Sequence, residues 1–449
     1  MDAEYPNKVD TVILGAGISG LYLALLLERA GQRVVVLEKE DEAGGLLRTV
    51  HHEGFRFDLG GHRLVFTDPS DLFSFLQEIG FEPGVFKHQR KARIMVGGKL
   101  LHYPPGLADV LRFPPELWWP AAWDFLTGRW RYPSPKTFEE WLCRHYGETI
   151  YKLIFKDYTR KVWGVECSSF SAQFLEQRVG RFHWREFLLG RPGIKSKDAR
   201  SIFFYTAFGM QDIVEVVLGA LGKNVTVLRA AQAVSCQPEE NGVRVSFTDR
   251  TGSAKGTISA RRLVSTIPVI SLASILQAPE LDKYLPHYRS RHLILLNLIL
   301  QETCQLARVH WIYCPQGDIV FSRVFVPGVW SHQMVPDQGL SVSLEVICGD
   351  DLFRLPDREL LDRLLQDVGK VGMNFSRDNI RHAFLTRYEN AYPVVLDRDM
   401  INEGKKLLRE RFPFLRLAGR AGEHSYFDIE DCLCSVRAVA KELVGSGNA

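Results

Sequence analysis

Near the start of the chain an apolar run, Val9 to Leu14, leads directly into Gly15-Ala16-Gly17-Ile18-Ser19-Gly20. The leucine-rich stretch Ser19 to Gly31 follows, and Arg33 to Glu38 (RVVVLE) is apolar again. This order predicts strand, helix and strand within about 30 residues, a unit that builds parallel sheet. The expected fold class is therefore α/β, with a Rossmann-type domain. Each glycine has a physical reason to be there. Gly15 permits the tight turn, Gly17 lets the backbone approach a pyrophosphate, and Gly20 lets helix and strand pack closely. The helix N-terminus presents free N–H groups to the phosphate. Glu38 closes the second strand, where a carboxylate accepts from both ribose hydroxyls and disfavours a 2′-phosphate. Together these features predict a bound adenine dinucleotide.

Composition narrows the setting. The chain has 449 residues, 46% hydrophobic and 24% charged, which excludes a disordered chain and suggests two or three domains. A net charge of +3 argues against a general polyanion binder, so no nucleic-acid partner is expected. The eight cysteines form no C-x-x-C pair, which fits neither a zinc module nor a disulfide framework and suggests reduced thiols in a cytoplasm. Met1 to Lys8 is polar and unlike a secretory signal. The apolar runs fall short of the ~18 residues that cross a bilayer. A cytoplasmic location is expected, with peripheral membrane contact left open.

Further elements read as a helical stretch from Thr137 to Tyr158, a helix from Met210 to Gly222, and two strands in NVTVL and VRVSF. Strands are also expected at Arg262 to Pro268, Arg291 to Gln301, Ser341 to Cys348 and Arg416 to Gly419, and helices at Leu360 to Val371 and Asp431 to Val444. Between Phe81 and Trp130 the texture changes to clustered Pro and Trp. The layout suggests a discontinuous dinucleotide domain (1–80, 200–285 and 385–449) and an inserted α+β substrate domain (81–199 and 286–384).

Two more glycine pairs follow Glu38. Gly44-Gly45-Leu46-Leu47-Arg48-Thr49 suits a loop around the same pyrophosphate, with Arg48 as counter-charge. Phe57-Asp58-Leu59-Gly60-Gly61-His62 offers bare backbone on which a flat ring can lie. These stretches resemble the FAD superfamily of amine oxidases, protoporphyrinogen oxidase and UDP-galactopyranose mutase. The likeness continues through Phe138-Glu139-Glu140-Trp141, the run ending at Gly164, LEQRV around Arg178, FSRV around Arg323, Ala391-Tyr392-Pro393-Val394 and Gly419-Arg420-Ala421-Gly422.

The resemblance implies a non-covalent FAD and assigns roles. Gly15, Gly17, Gly20 and Glu38 would hold its adenosine diphosphate half, and Gly44, Gly45 and Arg48 its pyrophosphate and flavin ribose. Gly60, Gly61 and His62 would lie by the isoalloxazine. Val234, in the strand after Asn224, would meet the adenine through its backbone. Gly419 and Arg420 would bring the C-terminal strand and helix against the flavin. Ser19, Lys39, Leu46 and Asp428 complete the candidate cofactor set. Two departures stand out. Leu46 occupies the place where amine oxidases commonly carry arginine, and Ser425 to Leu433 lacks the asparagines and histidine of close relatives.

Two chemistries compete. As an oxidoreductase the enzyme would let flavin accept a hydride from an amine, a lipophilic ring or another small organic molecule. Such a site needs an apolar pocket, which the insertion from Val85 to Tyr132 could line. As a mutase-like enzyme it would use reduced flavin as a nucleophile on a nucleotide sugar. Arg178 and Arg323 would then clamp the diphosphate, with His62 by the ring and Tyr392 capping a phosphate or stacking on substrate. His62, Arg178, Arg323 and Tyr392 are thus the candidate catalytic residues. No metal site is expected, because His51, His52 and Glu53 lack ligand spacing.

Overall fold

The computed structural model describes residues 5–445 apart from 83, 104, 106–108, 110–111, 173–180, 183–193, 196–201, 250, 305, 338, 372 and 374. The opening strand, Lys8–Leu14, is flanked in parallel by Val34–Leu37 and by the second half of Ala254–Ser265. Val225–Leu228 extends this sheet beyond Val34–Leu37, and Leu415–Leu417 pairs in parallel with Leu263 to Ser265. The strand Ala254–Ser265 serves two pairings along one edge. Before it meets Leu415 it runs antiparallel to Gly242–Thr248, which in turn pairs with Gln232–Glu239.

The central parallel strands are largely apolar, Val34–Leu37 entirely so, because both faces are covered. On one face Leu21, Leu25, Val214, Val217 and Val436 join a single core, drawing together the helices Ile18–Arg29, Gln211–Ala220 and Ile429–Gly445. On the other, Val12, Val35 and Leu263 pack with Val245 and with Leu272 of the helix Val269–Leu276.

A second sheet of seven strands runs in the order Ile380–Val394, Arg289–Leu300, Leu340–Cys348, Arg323–Phe325, Trp311–Tyr313, Ala92–Val96 and Lys99–His102. Only the pairing of Trp311–Tyr313 with Ala92–Val96 is parallel. Alternate residues of Arg289–Leu300 face different cores. Leu293 and Leu295 meet Trp141 and Tyr151, whereas Ile294, Leu296 and Leu298 meet Leu360 and Leu364. The strand Ile380–Val394 runs unbroken through residue 385, where the layout of the sequence suggested a domain boundary.

Most expected elements are present within a few residues of their expected ends. The helical stretch from Thr137 is not continuous. Phe138–Tyr146, closed at its start by a Thr137–Glu140 capping box, ends at Gly147, whose φ of +83° breaks the helix. Helical turns resume at Glu148 and continue to Trp163, five residues past the expected end, through a widened turn at Tyr151–Lys156. The segment after Asn224 holds three strands rather than two. Val225–Leu228 stops at Leu228, Ala230 takes a φ of +49°, and Gln232–Glu239 intervenes before Gly242–Thr248.

Candidate active site

The glycine-rich turn is built as its sequence requires. Gly15 takes a φ of +97° and donates its N–H to Leu37 O at 2.8 Å, fixing the turn against the second strand. A methyl at Gly20 would lie 2.0 Å from Gly15 O, so helix and turn approach too closely for any side chain there. At Gly17 the opposite holds: a Cβ would meet nothing within 4 Å, because it would project into open space. That space belongs to a cavity of about 650 Å³, within the usual range for a large cofactor site.

Glu38 lines the cavity and is buried. Its Oε2 accepts from Ala16 N–H at 2.7 Å and its Oε1 from Glu40 N–H at 3.0 Å, which holds the carboxylate at the mouth of the turn. Gly17, Ser19, Lys39, Gly44, Gly45, Leu46 and Arg48 line the same cavity, and so do His62, Arg420 and Asp428. Gly44 N–H donates to Ala16 O at 2.8 Å, joining the second glycine loop to the first. Asp428 is partly engaged by its own helix, since it accepts from Asp431 N–H at 3.1 Å as the N-terminal cap.

Several expected residues stand elsewhere. Val234, expected to act through its backbone, lies on Gln232–Glu239, one strand later than expected, and the residue is 43% exposed. The cavity wall there is made by Ala231, Gln232 and Ala233. Gly60 and Gly61 face a separate void of about 20 Å³, room for one water, lined also by Asp58 and Tyr205. A methyl at Gly61 would lie 2.1 Å from the Phe325 ring, so this glycine admits a protein side chain rather than a ligand. Gly419 takes a φ of +72° and packs against Ser19 Oγ, one residue behind the cavity wall. Arg178 lies outside the described residues. The helix Trp118–Arg131 of the Trp-rich insertion contributes nothing to the cavity lining and stands at the surface. The loop at His52 and Glu53, read as lacking metal spacing, is joined by His382, whose Nε2 lies 3.3 Å from Glu53 Oε2.

His62 donates from Nε2 to Leu59 O at 2.9 Å, which leaves Nδ1 as an acceptor. Burial, helped by the Arg420 and Arg323 cations, holds its pKa down at about 4, so the ring is neutral at pH 7. Arg323 faces Glu345 directly across paired antiparallel strands. Its Nε and Nη2 donate to the two carboxylate oxygens at 2.9 and 2.8 Å, and Nη2 also donates to Tyr392 Oη at 3.1 Å. Glu345 is fully buried and also accepts from Ser322 Oγ at 3.2 Å. Burial pulls the Arg323 pKa down, but the Glu345 carboxylate together with Tyr392, Tyr158 and Tyr313 more than offsets it and lifts the pKa well above its usual value. Tyr392 is buried and stacked beside Tyr426 at 6.2 Å, and the Arg420 guanidinium lies over both rings. Arg420 donates Nη1 to Phe427 O at 3.1 Å, but its buried Nε and Nη2 have no protein partner.

An open cradle over Gly17, a helix start beside it and a guanidinium in the wall with two unpartnered nitrogens suit an elongated anionic cofactor. Residues 18–443 match the family model for flavin containing amine oxidoreductases. The chain belongs to that family. A crystal structure of reduced UDP-galactopyranose mutase shares the fold, with a TM-score of 0.82 at 21% identity over 98% of this chain and 96% of that one. The dTDP-fucopyranose mutase of Escherichia coli is 27% identical over 184 residues, 40% of this chain and 47% of that protein. The all-trans-retinol 13,14-reductase of Danio rerio is 47% identical over 60 residues, 13% of this chain and 10% of that protein. The matched segments thus span between a tenth and about half of these curated relatives. Among the described residues no helix is long and apolar enough to cross a membrane.

Residues that the sequence reading missed include Thr266, Ile267 and Pro268, which line the cavity at the end of Ala254–Ser265. Their signal was available, since ligands of parallel sheets sit beyond the carboxyl ends of the strands. Tyr388 and Glu345 were also missed. Glu345 stands out in retrospect as the one charge within the apolar run SVSLEVIC.

Proposed function

We propose that this chain is an FAD-dependent oxidoreductase acting on a C–H bond of a small organic substrate. Bound in the cavity, FAD would supply the ring that accepts the hydride. Glu38, Gly15 and Gly17 would hold the adenosine and pyrophosphate end, Gly44, Gly45 and Arg48 the middle, and Arg420 and His62 the flavin end. Arg420 Nε and Nη2, otherwise without partners, would donate to it. Cys432 is a thiol in the cavity wall, and burial lifts its pKa to about 11. A protonated thiol is a poor nucleophile, which supports a non-covalent cofactor.

One observation carries the choice of reaction. The Arg323 fork, which a diphosphate clamp needs free, is occupied by the buried Glu345 and by Tyr392. Around it Tyr158, Tyr313, Tyr392 and Tyr426 give an aromatic wall suited to an uncharged or weakly polar substrate. His62 is neutral and its Nε2–H is tied to a carbonyl, which suits a reaction that asks no proton of it. The second reading, a mutase-like enzyme acting on a nucleotide sugar, is supported by the 184-residue match to a dTDP-fucopyranose mutase. In it Arg420 would meet the diphosphate.

A visible difference spectrum of the flavin-loaded protein, oxidised and anaerobically reduced, titrated with UDP, separates the two. The oxidoreductase reading expects no saturable change, and it expects anaerobic bleaching by a member of an amine and lipophilic-ring panel. A saturable UDP shift would transfer the assignment to the second reading.

A further inference from the structure

The helix Trp118–Arg131 is amphipathic in the wrong sense for a protein core. At about 100° per residue, Trp119, Trp123, Leu126 and Trp130 fall within an arc of about 60°. All four are exposed, at 78%, 53%, 66% and 81%. The opposite face carries the packing. Asp124 accepts from Thr149 N–H at 3.0 Å and Thr149 Oγ1 at 2.6 Å, and a methyl at Gly128 would lie 2.6 Å from Cys143 O. The helix is therefore held by its polar side and presents its apolar side outward. Among the described residues Gly128 alone of this helix is buried. Three tryptophans and a leucine in one outward stripe form the kind of apolar patch that marks an interaction surface.

We propose that this stripe is a peripheral docking surface for an anionic lipid bilayer. Tryptophan is the residue that settles at the level of lipid headgroups, with an apolar body and a polar N–H. A helix of 14 residues is too short to span, and its geometry fits burial along the interface. Charge selects the kind of bilayer. Between Val85 and Lys136 there are nine Lys and Arg against three Asp and Glu, whereas the whole chain is only +3, so the remainder of the chain is net negative. Lys99, Arg112 and Arg129 are exposed beside the stripe. Lys99 Nζ donates to Arg112 O at 3.4 Å, and Trp118 Nε1 donates to Phe113 O at 3.1 Å, which ties the basic hairpin end to the start of the helix. A basic rim beside exposed tryptophan matches a negatively charged lipid surface, with the apolar stripe inserted and the cations at the phosphates.

The test is co-sedimentation of the full-length, flavin-loaded protein with vesicles of phosphatidylcholine alone or with about 30% phosphatidylglycerol. The protein should pellet with the anionic vesicles, and its tryptophan emission should shift to the blue. High salt or removal of phosphatidylglycerol should weaken binding. The combined variant Trp119→Ser, Trp123→Ser, Leu126→Ser, Trp130→Ser should lose at least about tenfold in partitioning while keeping its flavin. Arg112→Gln with Arg129→Gln should reduce the preference for anionic lipid. Wild-type protein that stays in the supernatant with both vesicle types overturns the proposal, a result that needs no variant to fold. Binding indifferent to phosphatidylglycerol overturns it as well. So does a dimer in sedimentation velocity that the serine variant dissolves, since the stripe would then be a contact between copies of this chain.

Discussion

Glu345→Leu tests the reading of the flavin end most directly. The substitution leaves Arg323 with a charge and no counter-ion. Two charge-assisted hydrogen bonds are lost, of 2.9 and 2.8 Å, together with the acceptor for Ser322 Oγ. Breaking a buried ion pair by removing one partner costs about 3–5 kcal/mol, chiefly because the remaining ion stays desolvated. The Arg323 side chain retains 21% exposure and keeps Tyr392, so some hydration survives and the expected loss is near 3 kcal/mol, the low end of that range. Glu345→Gln should cost less, since an amide oxygen still accepts one of the bonds. The double variant Arg323→Leu, Glu345→Leu should recover most of the loss, giving a coupling energy of about 2 kcal/mol or more. Urea unfolding measures all three, provided that fluorescence and circular dichroism report one coincident transition. The same Glu345→Gln protein should acquire a measurable affinity for UDP, because it removes the counter-charge and frees one of the two bonds that Arg323 gives to Glu345. A Glu345→Leu loss below about 1 kcal/mol would refute the claim that this carboxylate holds the arginine, and with it the argument against a diphosphate clamp.

Gly17→Val should abolish flavin retention by filling the cradle over the turn, while the fold survives because nothing in the protein lies within 4 Å of the new Cβ; a yellow, fully loaded variant would dismiss the site. Gly20→Ala should instead damage folding itself, since its Cβ would sit 2.0 Å from Gly15 O, and a variant as stable as wild type in thermal melts would contradict that contact. Lys161 donates to three backbone carbonyls, of Cys314, Gln316 and Phe321, and burial lowers its pKa to about 8. The unfolded chain holds that proton up to about 10.5, so Lys161 contributes a rise in stability between about pH 8 and 10.5. Lys161→Met should remove that rise from the pH dependence of the melting temperature and cost stability at pH 7. Burial holds His310 near pKa 3 and His424 near 4, against 6.5 when unfolded, so stability should fall as pH drops from about 6.5 toward 4. Asp58, raised to about 6 by burial, opposes that trend, and His424→Leu should flatten the acid side of the profile.

The glycine-rich turn was legible because its residues are local. Gly15, Gly17, Gly20 and Glu38 belong to one strand, turn, helix and strand, and their spacing alone sets their geometry. Val234 was misplaced because a four-residue strand and a left-handed Ala230 hid an extra pass of the chain before Gly242. Gly61 read as a platform for a ring, but its bareness serves Phe325, which arrives from a strand more than 250 residues on. Periodicity carries no record of such a partner. The Arg323–Glu345 pair is similarly non-local. It depends on the register between Arg323–Phe325 and Leu340–Cys348, and a shift of one residue would place Glu345 on the opposite face.

The two arginines at the flavin end show why motif and function part company here. Arg323 and Arg420 both sit in stretches that resemble a family's functional sequence, and the motif treats them alike. The fold does not. Arg323 meets a carboxylate across a strand pair, so its charge is neutralised inside the protein and its fork is closed. Arg420 projects from the turn after Leu415–Leu417, with two rings beneath its guanidinium and two N–H-bearing nitrogens that no protein atom accepts from. A buried guanidinium left half-satisfied is costly unless a ligand completes it. Arg387 Nε in the same cavity wall also lacks a partner, but Arg420 has two such nitrogens, so the larger share of the site's unmet hydrogen-bonding demand rests on it. Substituting it should weaken the flavin or the substrate, whereas substituting Arg323 should first of all weaken the fold. Arg420→Leu and Arg323→Leu, compared for flavin retention and urea stability, separate the two, and equal losses in both measurements would overturn the distinction.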